Sequence, residues 1–186
     1  MPRALDLVLA ALAIALATPV LLIAAVAIKL DSRGPVFYRQ RRVGRDGAEF
    51  DLLKLRTMRP GSDPVGVGTP VLQDDPRVTR VGRALRRASL DELPNLLNVV
   101  RGQMAIVGPR PTLAAQVDLY TERQRRRLEV RPGLTGWAQV NGRAGIPWAE
   151  RIELDLWYVE HRSLALDLGI LARTARLLLS GHGLYG

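Results

Sequence analysis

The chain has no cysteine among its 186 residues. Disulfides, thiolate zinc sites and a cysteine nucleophile are therefore excluded, while the compartment stays open. It is also nearly without lysine: Lys29 and Lys54 are the only two, and the other basic residues are arginine. Two phenylalanines, three tryptophans and four tyrosines are all the aromatics. That is too few for the aromatic-interleaved basic surface that grips single-stranded nucleic acid. No internal repeat and no low-complexity tract occurs.

What is present is basic and partly apolar. The formal charge is +9 and the pI about 11.0. Arginine binds phosphate through a planar, bidentate fork that lysine lacks, so an anionic partner is expected: nucleic acid, anionic lipid or a phosphorylated small molecule. Composition does not choose among them. From Leu7 to Ile28 the chain runs without a charge. A membrane-spanning helix needs about 20 such residues, and a signal-peptide core is shorter, about 7–15. This run predicts a membrane segment. Thr18-Pro19 lies at its middle. Proline removes a backbone donor and the threonine hydroxyl can bond back to a carbonyl, so a kink is expected there. Two geometries follow: a bent helix that crosses, or a re-entrant hairpin with both ends on one face. Arg3 on one flank and Lys29 and Arg33 on the other fit the hairpin under the positive-inside rule. Because most proline-containing membrane helices simply cross, the residues alone favour crossing.

Downstream, the runs VFYRQRRV and EFDLLKLRTM flank the turn Gly44-Arg45-Asp46-Gly47 and predict a β-hairpin. Residues 60 to 76 and 131 to 147 are rich in glycine and proline and predict loops. Arg80, Arg83 and Arg87 recur at helical spacing and predict one basic helix face. Helices are expected over 94–101, with Gly102 as its stop, and over 113–129, 148–160 and 163–180, with a short extended piece at IVGPRPT. The last helix, SLALDLGILARTARLLLS, suits the bilayer interface, and Trp148, Trp157 and Tyr158 suit the headgroup level.

The stretch RRASLDELPNLLNVVRG, residues 86 to 102, carries the chemistry. Ser89-x-x-Glu92 fits a capping box, in which Asp91 and Glu92 do no more than stabilise a helix start. Two details argue for more. Pro94 would fall where a helix already needs a backbone donor, and the carboxylates lie among Arg86, Arg87, Arg101 and Arg110. An aspartate near arginines stays ionised, and an ionised carboxylate can be a nucleophile or a hard Mg²⁺ ligand. Carboxylate, metal and arginines together suit phosphoryl transfer.

DLVLAALAIALATPVLLIAAVAIKLDSRGPVFYRQRRVGRDGAEFDLLKLRTM, DDPRVTRVGRALRRASLDELPNLLNVVRGQMAIVGPRP, RPGLTGWAQVNGR and ERIELDLWYVEHRSLALDLGIL follow one another along nearly the whole chain. In that order they closely resemble the monotopic phosphoglycosyl transferases, the bacterial sugar transferases, in their small form. The resemblance implies transfer of a sugar-1-phosphate from a UDP-sugar to polyprenyl phosphate with release of UMP, by a ping-pong cycle requiring Mg²⁺. It implies that Asp91 is the nucleophile and contacts the metal, and that Glu92 assists. Arg86 and Arg110, the latter inside Pro109-Arg110-Pro111, match substrate-phosphate residues, and Lys54 and Arg56 match polar positions of the same site. Asp155 and Asp167 match positions that shape it, although ordinary salt bridges among the many arginines would explain Lys54, Arg56, Asp155 and Asp167 equally. The family's membrane segment is re-entrant and breaks at a Ser-Pro pair, matched here by Thr18-Pro19, which reverses the preference for crossing. The fold class expected is α+β and predominantly helical: a re-entrant segment at 1–33 and a catalytic part at 34–186 with interfacial helices, on the cytoplasmic face of the bacterial inner membrane. Partners expected are a UDP-sugar, polyprenyl phosphate and membrane lipids, with no nucleic acid. A membrane-anchored basic module that binds nucleic acid or anionic lipid without catalysis is the rival, and hydrolysis of the same intermediate is a third outcome.

Overall fold

The computed structural model describes residues 1–62, 75–142 and 146–179. They form a mostly helical α+β structure with two small sheets. Helix α1 runs from Arg3 to Asp31. Strands β1 (Phe37–Val43) and β2 (Glu49–Leu55) pair antiparallel around the turn at Arg45–Gly47. Helix α2 (Arg80–Arg87), a 3₁₀ turn (Leu90–Glu92) and helix α3 (Asn95–Val100) follow. Strand β3 (Ala105–Val107) leads to α4 (Ala114–Val117), α5 (Glu122–Arg125), β4 (Gly133–Thr135) and α6 (Trp137–Asn141). Helices α7 (Trp148–His161) and α8 (Leu164–Leu179) close the described chain.

The hairpin forms where expected, and α3 ends at Gly102, whose φ of 82° is one glycine adopts at little cost. Two expectations need correction. Residues 113 to 129 are not one helix: α4 and α5 are separate single turns, the second capped by Thr121 and Gln124, and a 3₁₀ turn follows at Arg126–Glu129. The stretch 131–147 is not simply a loop, because β4 pairs in parallel with β3, Ala105 opposite Gly133 and Val107 opposite Thr135, and α6 follows. Parallel pairing between distant segments leaves no local hairpin signal. The loop read at 60–76 lies mainly outside the described residues, as do 143–145 of the second loop and residue 180 of the last helix.

α1 is helical at every residue, Pro19 included, and Thr18 Oγ1 donates to the Ile14 carbonyl at 2.8 Å. Asp6, Ala10, Ala17, Ala24 and Ile28 form its buried stripe, at intervals of four and seven residues. The opposite side exposes Leu12, Leu16, Ile23, Val26 and Leu30. Both ends are tied to the rest of the molecule. Arg3 donates to the carbonyls of Val99 and Met104, and the Ile106 amide donates to Asp6. At the other end the Val81 amide donates to Asp31, and Ala24 and Ile28 pack on Leu55 and Leu85.

The main core joins Ala10, Phe50, Leu52, Leu96, Val99, Met104, Ile106 and Ile170. Asn98, fully buried, fastens α3 to the hairpin: it accepts from the Leu53 amide at 3.1 Å and donates to the Asp51 carbonyl at 2.7 Å. α2 meets the strand exit so closely that a Cβ on Gly82 would lie 2.0 Å from the Thr57 carbonyl oxygen. Gly82→Ala is expected to destabilise the fold by at least about 2 kcal/mol, since backbone rather than a flexible side chain must move. Thermal unfolding followed by circular dichroism checks this; an unchanged midpoint would contradict the packing described.

Candidate active site

Three elements converge on the carboxylate pair. The first is the hairpin. Its register sets Tyr38 opposite Lys54, Gln40 opposite Leu52 and Arg42 opposite Phe50, so Gln40, Arg42 and Lys54 share one sheet face. The second is the 3₁₀ turn Leu90–Glu92, entered through Ser89 at φ 55°, ψ 21°. A left-handed serine costs about 1 kcal/mol, and it turns the chain sharply between α2 and the carboxylates. The third is the loop Pro109–Thr112, braced by Val43 N–H to the Thr112 carbonyl at 2.9 Å.

The capping-box account of the pair fails here. Ser89 makes no side-chain cap bond, and its hydroxyl is buried without a partner among the described residues. Pro94 caps a helix that begins only at Asn95, so α3 starts late, as the proline required. Asp91 and Glu92 are each 5% exposed.

Their environments separate them. Glu92 Oε1 accepts from Lys54 Nζ at 2.7 Å and from Arg110 Nη2 at 2.9 Å. Burial works against its charge, but Arg110 and Lys54 win, and the carboxyl is held down at about 2. Asp91 has no such contact: its Oδ1 is buried with no hydrogen-bond partner among the described residues. Burial dominates there. Lys54, Arg86 and Arg110 pull the other way, Glu92 adds to the rise, and the carboxyl is pushed up to about 6. At pH 7 Asp91 is still mainly ionised, as the neighbouring arginines led one to expect, but as a poorly solvated and more basic carboxylate. Two adjacent carboxylates thus sit in different environments, one poorly solvated and one paired with two cations.

The structure brings together Asp91, Glu92, Lys54 and Arg110, with Arg86 close enough to act on Asp91. Arg56 is placed elsewhere. Its guanidinium donates to the carbonyls of Arg33 at 2.6 Å and Ser32 at 2.8 Å, beyond the end of α1, and to that of Ile28. Asp155 acts one step away. It accepts from Arg127 Nε at 2.7 Å, and Arg127 Nη2 donates to the Arg110 carbonyl at 2.6 Å. Asp167 accepts from Tyr158 at 2.7 Å and pairs with the amino terminus. Thr18 and Pro19 lie in α1.

Sequence reasoning missed Arg42, Arg127, Asn95 and Asn98. Arg42, Glu92, Asn95 and Arg110 line one small, open cleft. The period-2 alternation that places Lys54 inward also places Arg42 inward, and was the signal available. Arg127 sits in the ERQRRR run, where nothing marks it apart from its neighbours.

No group of three or more His, Cys, Asp or Glu forms an all-protein metal cage among the described residues. Mg²⁺ does not need one, since it is commonly held by one or two carboxylates with water and substrate phosphate. The unpartnered, hard Oδ1 of Asp91 fits that mode.

The chain matches the family described as Bacterial sugar transferase over residues 1–181. It is 51% identical over 191 residues to a UDP-glucose:undecaprenyl-phosphate glucose-1-phosphate transferase of Caulobacter vibrioides, covering 98% of this chain and 71% of that protein. It is 44% identical over 182 residues to the uncharacterized sugar transferase EpsL of Bacillus subtilis, covering 98% and 89%. With a UDP-glucose:undecaprenyl-phosphate glucose-1-phosphate transferase of Escherichia coli it shares 45% identity over 180 residues, 92% of this chain and 39% of that one.

Two outcomes follow from this geometry. Ionising Asp91 costs the folded state, because its proton is held more tightly when folded than unfolded. That penalty is absent below the ordinary carboxylate range, grows as pH rises toward about 6, and is constant above. In metal-free buffer at pH 7.5, Asp91→Asn should therefore be more stable than wild type by up to about 3 kcal/mol. The gap should close below about pH 4, and Tm against pH checks it. Arg56→Met should lower Tm by orphaning three carbonyls, at about 2–3 kcal/mol, while KM for nucleotide sugar stays unchanged; a raised KM with an unchanged Tm would return Arg56 to the substrate site.

Proposed function

The chain belongs to the bacterial sugar transferase family, and from that membership and the buried carboxylate pair we propose that it moves a sugar-1-phosphate from a UDP-sugar to undecaprenyl phosphate, the step that starts a membrane-linked polysaccharide. The observation that carries the reading is the division of labour in the pair: a buried, unpartnered, basic Asp91 beside a Glu92 fully engaged by two cations.

An Asp91 carboxylate oxygen attacks the sugar-bearing phosphorus. The bond from that phosphorus to the bridging oxygen breaks, and UMP departs with the electron pair. The sugar phosphate is left as an acyl phosphate on Asp91. An oxygen of undecaprenyl phosphate then attacks the same phosphorus, the Asp91 carboxylate leaves, and the product is the lipid diphosphate sugar. Glu92 holds Lys54 and Arg110 where the charge of the transferring phosphate develops, and Arg86 adds a third cation. With Glu92 held at about 2, it is a weak base and a strong anchor. Asp91 Oδ1 would hold Mg²⁺ together with substrate phosphate. Bound there, the ion supplies neutralisation of phosphate charge against the attacking carboxylate.

The lipid acceptor stays in the bilayer and the nucleotide sugar stays in water, so the reacting carboxylate belongs at the boundary. α1 is long and apolar enough to cross a membrane by length and composition. At 1.5 Å per residue it is about 43 Å long, so crossing upright would carry one end to the far side. Both of its ends are instead tied to the body that bears the site. The tied ends favour a re-entrant over a crossing segment at 1–33, and the proposal places it on the cytoplasmic face with the catalytic part at 34–186. The exposed Leu97 and Val100 of α3, and Leu164, Leu168 and Leu178 of α8, suit the interface beside it.

Purified protein with Mg²⁺ and UDP-glucose should release UMP and gain one phosphohexose on Asp91, read by intact mass. Asp91→Asn should lose both by at least about a thousandfold. Undecaprenyl phosphate should discharge the adduct. Water discharging it equally fast would make the protein a hydrolase, and failure to form UMP with any UDP-sugar would sink the transferase reading.

A further inference from the structure

We infer that Arg42, on the inner face of the hairpin, is a second phosphate-binding arginine that works beside Arg110. The inference deepens the transferase reading and rests on it. Arg42 lines the cleft next to Glu92, Asn95 and Arg110. It is partly buried, and none of the described carboxylates forms an ion pair with it. Its neighbours give it little relief: Arg110 and Arg127 repel it, and Glu92, which attracts it, is already bonded to Lys54 and Arg110. Burial and then Arg110 lower its pKa to about 10, which still leaves it cationic at neutral pH. A shielded guanidinium without a counter-ion is a costly group unless an anion completes the site.

The side chain is also aimed. Its Nε and Nη2 donate to Gln40 Oε1 at 3.1 and 2.7 Å, and Nη1 donates to the Pro111 carbonyl at 3.1 Å. Three of the five N–H donors of a guanidinium are thereby engaged, which locks its plane and leaves two for a ligand. The bond to Pro111 sets Arg42 against the residue that follows Arg110, so both cations address one place. In the same cleft, Asn95 keeps a buried Oδ1 without a partner among the described residues, a second polar group open to a ligand. The chemistry recognised is a phosphate, which either the UDP-sugar or undecaprenyl phosphate could present.

Arg42→Gln and Arg42→Lys in the full chain separate these sources. One arm follows adduct formation against UDP-glucose concentration without acceptor. The other follows discharge of preformed adduct against undecaprenyl phosphate concentration. A third readout is the Tm shift that inorganic phosphate produces without turnover. Arg42→Gln should raise half-saturation at least tenfold in one arm, and that arm identifies the source, while its maximal rate falls less than threefold. It should also lose the phosphate-induced shift, and Arg42→Lys should recover part of both. Maximal rates that fall in both arms with half-saturation unmoved would reduce Arg42 to a brace for Pro111 and overturn the proposal. Should Arg42→Gln not fold, Arg42→Lys decides alone: a threefold or greater rise in one arm supports the site, and none in either arm overturns it. If wild type makes no adduct, the transferase reading fails, while loss of the phosphate shift in the variant still decides Arg42.

Discussion

The site depends on one carboxylate tied down by two cations. Glu92 accepts from Lys54 on β2 and from Arg110 in the loop after β3, and so joins three segments far apart in the chain. Glu92 and Lys54 are largely removed from water while Arg110 stays partly exposed, and the buried charges are tolerable there only together. The opposing pulls of Lys54 and Arg110 hold the 3₁₀ turn in place, and the turn in turn presents Asp91. Around this knot a wider set of braces forms. Arg127 grips the Arg110 carbonyl, Asp155 holds Arg127, and Asn98 fixes α3 to the strand that bears Lys54.

What surrounds Asp91 is the reverse of stabilising. A left-handed Ser89 bends the chain just before it, and among the described residues neither the serine hydroxyl nor the buried Asp91 Oδ1 has a hydrogen-bond partner. These are small debts of the kind concentrated at functional sites, where the rest of the fold over-determines the strain. A carboxylate deprived of water and hydrogen bonds is both more basic and more available to phosphorus than one in solution. The same burial that weakens the fold at this point prepares the reaction.

The membrane helix belongs to the same arrangement. Alanines on its buried stripe let it approach α3 closely, and Leu12, Leu16, Leu22, Ile23 and Leu30 face outward. Arg56, Asp31, Asp6 and Arg3 bind its two ends with hydrogen bonds to backbone. The helix and the part that bears the carboxylates are therefore built against one another, and the distance between them is set by packing.

Much was legible in the residues. The apolar run, the hairpin around its glycine turn, α7, α8 and the Asp91-Glu92 pair all carry local signals: hydrophobic length, period, turn chemistry, and carboxylates among arginines. The capping-box pattern at Ser89 was a local signal too, and it misled, because tertiary contacts hold the turn that the serine was expected to cap. The parallel β3–β4 pair, the broken helices at 114–129 and the clasp made by Arg56 had no local mark, since each exists only through partners distant in the chain. The sequence by itself determined which side chains could do the chemistry and that an apolar helix accompanies them. Only the tertiary structure decided which of two adjacent carboxylates is left bare and which is tied down. That choice is made by Lys54 and Arg110, from 38 and 18 residues away, because charge interactions act through space and not along the chain.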